Sequence, residues 1–182
     1  MLRNHMSIFF PERYVRPYIV LDADQIALAE HVHQMRRANA KRHGWKDGNN
    51  GKVTEAQERR GVAAELAAQQ YYHMAKWDDF RDIAVPDDAP DLLAGSYAID
   101  VKSIVNPDHR LISYKIKGQR AYLQVDASRS PEFWINGWLW GHELAAAPLR
   151  ELQRGRPCRA ADQDTLRDPA ELRNMIYAAD SA

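Results

Sequence analysis

The segment that decides the fold is PDLLAGSYAIDVK, at residues 90–102. Two short apolar runs flank Gly95 and Ser96, and a glycine in the first position of a two-residue loop is typical of a type II′ hairpin turn. Such a turn fixes the register of the two strands, and in that register Asp91 lies directly opposite Asp100. The segment therefore predicts an antiparallel hairpin with two carboxylates at one end.

The two faces of this hairpin carry different side chains. Residues directly opposite each other point to the same face, and every second residue of a strand shares that face. We expect Asp91, Asp100 and Lys102 on one face, whereas the other face turns three apolar residues toward a core: Leu92, Ile99 and Val101. Opposed carboxylates destabilise a sheet unless a cation neutralises them, as a divalent ion with oxygen ligands does. The pattern thus predicts a metal site.

The Asp-x-Lys pattern does not identify a site on its own. The chain has 25 acidic residues and 7 lysines, so about one match is expected by chance. A solvent-facing hairpin with ordinary surface charges is therefore the alternative, and the surrounding sequence has to decide between the two.

Helices are predicted on both sides of the hairpin. Their expected ranges are Asp24 to about His43, Thr54 to about Met74, and a short helix that begins at Asp168-Pro169. Asp24 is the expected N-cap of the first helix, and Gly44 to Gly51 is expected to form a loop. Thr54 forms a capping box with Gln57, and the proline after Asp168 suits the first helical position.

The remaining apolar segments are predicted as strands, at residues 92–93, 97–105, 111–116, 121–125 and 133–140. Helices followed by strands and a last helix are typical of an α/β or α+β sheet covered by helices. A chain of 182 residues fits one domain. We assign this domain to residues 1–182, with an N-terminal extension at 1–22 and a C-terminal tail at 144–182 that carries the short helix.

Composition restricts the classes of function. The 25 basic and 25 acidic side chains cancel, so nucleic-acid binding would depend on a local patch. The single cysteine, Cys158, excludes an internal disulfide and a cysteine-rich zinc site. The longest apolar stretch near the N-terminus, at residues 7–10, is too short for a signal sequence or a membrane span. We expect a cytoplasmic protein without a membrane partner.

Three motifs in order along the chain resemble the PD-(D/E)XK nuclease superfamily. These are Gly61 to Glu65 on a predicted helix, Asp91 at the start of a short strand, and Asp100-Val101-Lys102 on the next strand. The specific part of the resemblance covers residues 61–102. A looser similarity to small phage and bacterial members extends through the aromatic hairpin at residues 122–143.

This resemblance implies a restriction-endonuclease-like fold, in which helices flank a mixed β-sheet. It also implies hydrolysis of DNA phosphodiester bonds by a water molecule, with Mg²⁺ or Mn²⁺ as cofactor. The residues at the matching catalytic positions are Glu65, Asp91, Asp100 and Lys102. The implied metal ligands are the carboxylates of Asp91, Asp100 and Glu65 and the backbone carbonyl of Val101.

Glu65 also has an argument of its own. No cationic side chain lies three or four residues away on its helix, and Val62 and Tyr72 are on the same side. We therefore expect a partly buried carboxylate that faces the sheet. The alternative is a solvated surface glutamate.

Basic and aromatic side chains are candidates for contacts with DNA. Residues 36–60 are rich in lysine and arginine, and a second basic group follows the Asp-x-Lys strand. The candidates for phosphate contacts are Lys52, Arg59, Lys115, Lys117 and Arg120. Trp134, Trp138 and Trp140 are expected to alternate onto one face of a strand, where packing beneath the helices is favoured over stacking on bases.

Two other classes of function are consistent with the sequence. One is a nucleic-acid-binding protein that has this fold without catalysis, and the other is an interaction module, such as a phage protein that binds a host factor. If the protein is phage-encoded, its compartment is the bacterial host cell. Whether it forms a homodimer that cuts both strands is left open.

Overall fold

The computed structural model describes residues 16–44, 54–73, 76–77, 89–106, 108–153 and 155–181. These residues form four α-helices: α1 (Ala23–Arg42), α2 (Glu55–Tyr72), α3 (Gly141–Ala146) and α4 (Pro169–Asp180). They also form nine strands: β1 (Tyr18–Val20), β2 (Lys76–Trp77), β3 (Leu92–Ala94), β4 (Tyr97–Ile104), β5 (Leu111–Ser113), β6 (Ala121–Arg129), β7 (Glu132–Trp140), β8 (Leu149–Gln153) and β9 (Arg156–Ala161).

Six strands make one mixed sheet in the order β1-β7-β6-β4-β3-β2. Its neighbouring strands are antiparallel except for β4 and β6, which run parallel. The chain between these two strands contributes β5 to a second, three-stranded sheet of order β5-β9-β8. The prediction of a mixed α/β sheet with flanking helices is confirmed.

The large sheet separates two hydrophobic cores, and every residue of β6 from Ala121 to Ala127 is buried. Odd-numbered side chains of β4 and β6, such as Val101 and Leu123, pack with α1, α2 and α4. Tyr122 faces the other way and packs with residues of β5, α3 and β9. The central strands are thus buried on both faces.

Small side chains bring α2 close to this sheet. The face of α2 that packs on it is rich in buried alanines, among them Ala64 and Ala68. A methyl group added at Gly61 would lie 3.7 Å from the hydroxyl of Ser103 on β4, which is ordinary van der Waals contact. The position of α2 therefore depends on residues with little or no side chain.

The hairpin of β3 and β4 has the predicted register. Leu92 pairs with Ile99, and Ala94 pairs with Tyr97. Gly95 has φ +58°, the positive value that the first position of a type II′ turn requires. The hairpin prediction is confirmed, and the same register sets Asp91 opposite Asp100.

The helix starts are mostly as predicted. Thr54 caps α2 through a capping box with Gln57, and Asp168 caps α4. The predicted N-cap of α1 is wrong, because Asp22 caps the helix and Gln25 completes the capping box. Predicted features at residues 45–53 and at residue 74 lie outside the described residues.

Several elements were not predicted. Residues 18–20, within the predicted extension, form β1 at the edge of the large sheet. Residues 149–153 and 156–161, within the predicted tail, form β8 and β9. In the described ranges, no helix is both long and apolar enough to cross a membrane.

A β-bulge in β7 changes the predicted arrangement of the tryptophans. Gln124 pairs with Gly137 but Val125 pairs with Ile135, so Asn136 is an extra residue. Beyond the bulge the alternation is reversed, and Trp138 packs in the same core as Ile135. The expectation that all three tryptophans share one face is therefore wrong. Trp134 instead stacks on Tyr18 with ring centroids 5.8 Å apart.

Candidate functional site

Asp91 lies immediately before β3, and its side chain bonds to the neighbouring strand. Its Oδ2 atom accepts a hydrogen bond of 2.7 Å from the backbone N–H of Val101. This bond continues the hairpin's hydrogen bonding beyond the last backbone pair of β3. The Asp91 carboxylate is thereby held against β4 beside Asp100.

The electrostatic surroundings of Asp91 show which charges lie near it. Burial raises the pKa of Asp91 to about 7, and the negative charges of Glu65 and Asp100 add to the rise. The positive charge of Lys102 and the N–H of Val101 oppose it. The four residues predicted from the sequence are therefore close enough to interact around Asp91.

Glu65 is a buried residue of α2, and Arg36 of α1 pairs with it. The two guanidinium nitrogens of Arg36 donate to the two carboxylate oxygens of Glu65 at 2.9 and 2.6 Å. Only 8% of Glu65 is exposed, so the expectation of a surface glutamate is wrong and that of a buried carboxylate is confirmed. The sequence placed Arg36 in a basic stretch without pointing to this partner.

Asp100 is a buried residue of β4 with an equally buried arginine beside it. The Nη1 atom of Arg120 lies 3.0 and 3.1 Å from the two carboxylate oxygens of Asp100. The same atom lies 3.4 Å from the backbone carbonyl of Ala89. Arg120 precedes β6, whose parallel pairing with β4 brings the two residues together.

Lys102 and Tyr122 complete the surroundings of Asp100. The Nζ atom of Lys102 lies 5.8 Å from the centre of the Tyr122 ring. Burial raises the pKa of Tyr122, the N–H of Lys117 opposes the rise, and a hydrogen bond to Asp100 adds to it. Lys102 and the Tyr122 hydroxyl therefore lie on the same side of the sheet as Asp100.

Residues 114–120, here called the basic loop, connect β5 with β6 and carry Arg120. The Tyr122 hydroxyl accepts a hydrogen bond from Lys117 N at 2.8 Å and lies 3.3 Å from Lys115 O. From the other side, Gly141 N donates to Arg120 O at 2.8 Å. The backbone of the basic loop is therefore fixed at both ends.

Gly141 is necessary for this contact. A Cβ atom at this position would overlap the carbonyl group of Lys117, because it would lie only 2.7 Å from the carbonyl carbon of Lys117. Only glycine allows α3 to approach the basic loop so closely. The position of Arg120 thus depends on a residue from a different element.

The predicted phosphate contacts have different surroundings. Lys115 is exposed and Lys117 is half-buried, both on the basic loop. Arg120 is buried against Asp100 rather than exposed, and Arg59 forms ion pairs of 3.5 and 3.6 Å with Glu30 and Glu55. Lys52 lies outside the described residues.

The donor set suits a hard divalent ion, since Glu65, Asp91 and Asp100 offer carboxylate oxygens and Val101 offers a carbonyl. The side chains as placed do not form such a centre, because the described part of the chain has no group of three acidic, histidine or cysteine side chains arranged to hold a metal. Arg36 and Arg120 occupy two of the three carboxylates. Glu65 and Asp100 are therefore neutralised by arginines in this arrangement.

Comparison of the chain with protein-family profiles, curated proteins and solved structures finds no match.

Proposed function

We propose that this protein is a divalent-metal-dependent nuclease that hydrolyses DNA phosphodiester bonds with an activated water. The observation that supports the proposal is the position of the half-buried Asp91, whose carboxylate accepts from Val101 N–H on β4 and is acted on by the charges of Glu65, Asp100 and Lys102. A desolvated acid with a strongly raised pKa among other charges is typical of functional sites. The proposal includes a restriction-endonuclease-like fold, with the hairpin of β3 and β4 as its catalytic part.

Each residue has a proposed role. Asp91, Asp100, Glu65 and the carbonyl of Val101 are the ligands of Mg²⁺ or Mn²⁺. The bound ion would polarise the phosphoryl group and lower the pKa of a coordinated water. Lys102 lies beside these acids and contributes a positive charge that orients the attacking water and offsets charge in the transition state.

The basic loop is the proposed contact with the DNA backbone. Lys115 and Lys117 belong to the same short loop as Arg120, which pairs with Asp100. Phosphate contacts of this kind position a nucleic acid without reading its sequence. The loop would therefore hold the strand next to the acids without selecting a base.

A second candidate is a non-catalytic nucleic-acid-binding protein of the same fold. The arginine pairs of Glu65 and Asp100 favour it, because they neutralise both acids without a metal. An interaction module that binds a host protein has no comparable support. The two candidates differ in whether divalent ions bind and support cleavage.

Cleavage assays separate these candidates. Linear, circular and single-stranded DNA are incubated with the parent, Asp100→Ala and Lys102→Ala in Mg²⁺, Mn²⁺ or EDTA. We expect cleavage by the parent in either metal, none in EDTA, and at least a hundredfold slower cleavage by both variants. Asp164→Ala, which changes an exposed acid distant in sequence from the hairpin, is the control and should cleave like the parent.

Calorimetric titration separates the role of the lysine from those of the acids. Lys102→Ala should bind Mn²⁺ at least as tightly as the parent, because lysine contributes no oxygen ligand. Asp91→Ala should lose both metal binding and cleavage. Salt-sensitive DNA binding by the parent without metal binding or cleavage would favour the non-catalytic candidate instead.

A further inference from the structure

An aromatic stack lies at the edge of the large sheet that β1 forms. Tyr18 of β1 pairs with Trp134 of β7, and their rings are stacked with centroids 5.8 Å apart and an interplanar angle of 27°. Tyr18 is 60% exposed and Trp134 is half-buried. The stack therefore presents aromatic surface to the solvent rather than to either core.

The stack is on the same face of the sheet as the candidate site. The residues between and beside its members, Ile19 and Phe133, pack in the core that the helices cover, so the two rings point to the opposite face. Trp134 pairs with Asp126 of β6, and Asp100 of β4 pairs with the residue four positions earlier on β6. Strand geometry then places Trp134 roughly 15 Å from Asp100 along this face.

Two arginines lie beside the rings, and neither has a carboxylate partner within the described ranges. The guanidinium of Arg129 lies 5.2 Å from the centre of the Trp134 ring. Arg16, which precedes β1, donates at 3.2 and 3.1 Å to the side-chain oxygens of Asn136 and Gln163, which are neutral amides. The described contacts therefore leave both positive charges without a compensating acid.

An exposed ring with uncompensated arginines matches the chemistry of a single-stranded nucleic acid. Bases stack on aromatic side chains, and arginine binds the phosphates between them. The base faces of a duplex are covered by their neighbours, so only an unpaired strand can offer a base to Tyr18. The other possible occupant is a second copy of the chain, paired along β1. However, β1 has only three residues and would supply few backbone bonds.

We propose that a base of single-stranded DNA stacks on Tyr18, whose ring Trp134 supports, and that Arg129 and Arg16 bind the adjacent phosphates. This inference rests on the proposed function in one respect, that DNA is the ligand, and it involves no metal ion. It adds that the DNA reaches this face of the sheet as an unpaired strand.

Fluorescence anisotropy of a labelled oligothymidylate tests the stacking on the full chain, in EDTA so that no cleavage occurs. Tyr18→Ala should weaken binding by about fivefold or more, the contribution expected of one stacked base. Tyr18→Phe keeps the ring and should bind like the parent. Tyr177→Ala, which removes an exposed tyrosine of α4, is the matched control and should also bind like the parent. Annealing the probe to oligoadenylate should abolish the difference between the parent and Tyr18→Ala.

The salt dependence of binding tests the arginine contacts separately. Loss of one phosphate contact to a single strand should reduce the slope of log affinity against log salt by about 0.7. We expect this change in Arg129→Gln and an unchanged slope in Tyr18→Ala. Glu132 lies opposite Arg129 in the strand register, so Glu132→Gln removes a negative charge there and should tighten binding.

The remaining outcomes separate this inference from the proposed function. If the parent binds DNA and Tyr18→Ala binds the single strand equally well, or loses single strand and duplex alike, the inference is overturned and the proposed function is not. If the parent binds neither form of DNA at low salt, both are overturned. Sedimentation that shows a dimeric parent and a monomeric Tyr18→Ala would assign β1 to contact between two copies, which also overturns the inference.

A measurement on the parent keeps the test decisive if Tyr18→Ala does not fold. An oligonucleotide that contains 5-iodouracil is bound and irradiated, and the crosslinked peptide is identified by mass spectrometry. We expect the crosslink on Tyr18 or Trp134. Crosslinks confined to other parts of the chain would contradict the stacking site.

Discussion

Two arginine–carboxylate pairs flank Asp91, and they differ in burial although their distances are similar. Arg36 comes from α1 and meets Glu65 of α2 at 2.6 Å, with 38% of the arginine side chain exposed. Arg120 comes from the basic loop and meets Asp100 of β4 at 3.0 Å, with only 10% of the arginine side chain exposed. Burial therefore distinguishes the pairs more clearly than their distances do.

This difference indicates what each pair contributes. Water competes for the charge of Arg36 but reaches little of Glu65, whereas both partners of the Arg120–Asp100 pair are buried and that pair is costly to break from either side. We therefore expect the pair of Arg36 and Glu65 to adjust the charge of the site. We expect the pair of Arg120 and Asp100 to stabilise the folded structure around the site.

The largest expected effect is that of Arg120→Ala, which leaves Asp100 buried without its arginine partner. The free energy of unfolding should fall by about 3–5 kcal/mol. Urea denaturation at pH 8 measures this, and the added substitution Asp100→Asn should recover a substantial part of the loss. A loss below about 1 kcal/mol would show that water reaches this pair, and the contrast with Arg36 would then disappear.

Gly141→Ala tests the support of Arg120 from α3. The added methyl group overlaps the carbonyl of Lys117, so either the basic loop or α3 must move. Forced repacking of this kind costs about 1–3 kcal/mol, and thermal unfolding should show it. Gly118→Ala is the matched control, because no atom lies within 4 Å of a Cβ added there. Equal melting temperatures for the two variants would contradict the proposed support.

Asp91→Asn tests the acid between the two pairs. The pKa of Asp91 is about 7 in the folded protein against 3.8 for an unperturbed aspartate, so the folded state holds its proton more tightly. Without metal, stability should therefore fall as the pH rises from about 4 to 7, and the variant should lack this loss. Relative to the parent, we expect the variant to gain about 4 kcal/mol between pH 4 and pH 8.

Urea denaturation in EDTA across this range measures the difference. Asp164→Asn, which changes an exposed aspartate, is the control and should follow the parent at every pH. A constant difference between Asp91→Asn and the parent from pH 4 to 8 would mean that Asp91 titrates normally.

The smallest expected effect is that of Arg36→Ala. Because Glu65 is buried while Arg36 is partly exposed, the pair should contribute about 1–2 kcal/mol to the free energy of unfolding, and high salt should reduce the contribution further. Denaturation at low and high ionic strength gives both values. A loss as large as that of Arg120→Ala would show that distance, rather than burial, determines the strength of these pairs.

The hairpin could be predicted because its determinants are local. Gly95 in the first position of the loop fixes the register, and the register alone sets Asp91 opposite Asp100. Glu65 was identified as a buried carboxylate because its own helix offers it no cation. Such features depend on neighbours along the chain, which a sequence displays directly.

The arginine partners could not be predicted in the same way. Arg36 and Glu65 are 29 residues apart, and their pairing depends on how two helices pack. The pairing of Arg120 with Asp100 requires β4 and β6 to be parallel neighbours, which no local pattern indicates. The sequence identified Arg120 as a basic residue near the site but suggested phosphate as its partner.

Two further predictions about strands were wrong or incomplete: the faces of the tryptophans on β7, and the strands near the C-terminus. Asn136 is a bulge residue whose side chain bonds to Gln124 at 3.0 Å in the interior of the protein. The prediction assumed that side chains alternate uniformly along β7 and so did not include this extra residue. The faces of the tryptophans were assigned wrongly as a result. Strands β8 and β9 were missed because charged residues interrupt their apolar pattern.

The small residues of α2 determine the spacing between the helix layer and the sheet, and each of these layers carries an acid of the candidate site. Glu65 is carried by the helix and Asp100 by the sheet, so the gap between their carboxylates varies with the thickness of the α2–β4 layer. A methyl group at Gly61 would lie 3.7 Å from the hydroxyl of Ser103, so the two layers are already in contact there. In the proposed nuclease, this layer thickness would determine whether a single ion could reach both carboxylates. Substitutions on the buried face of α2 would then alter the choice of cation without touching any acid.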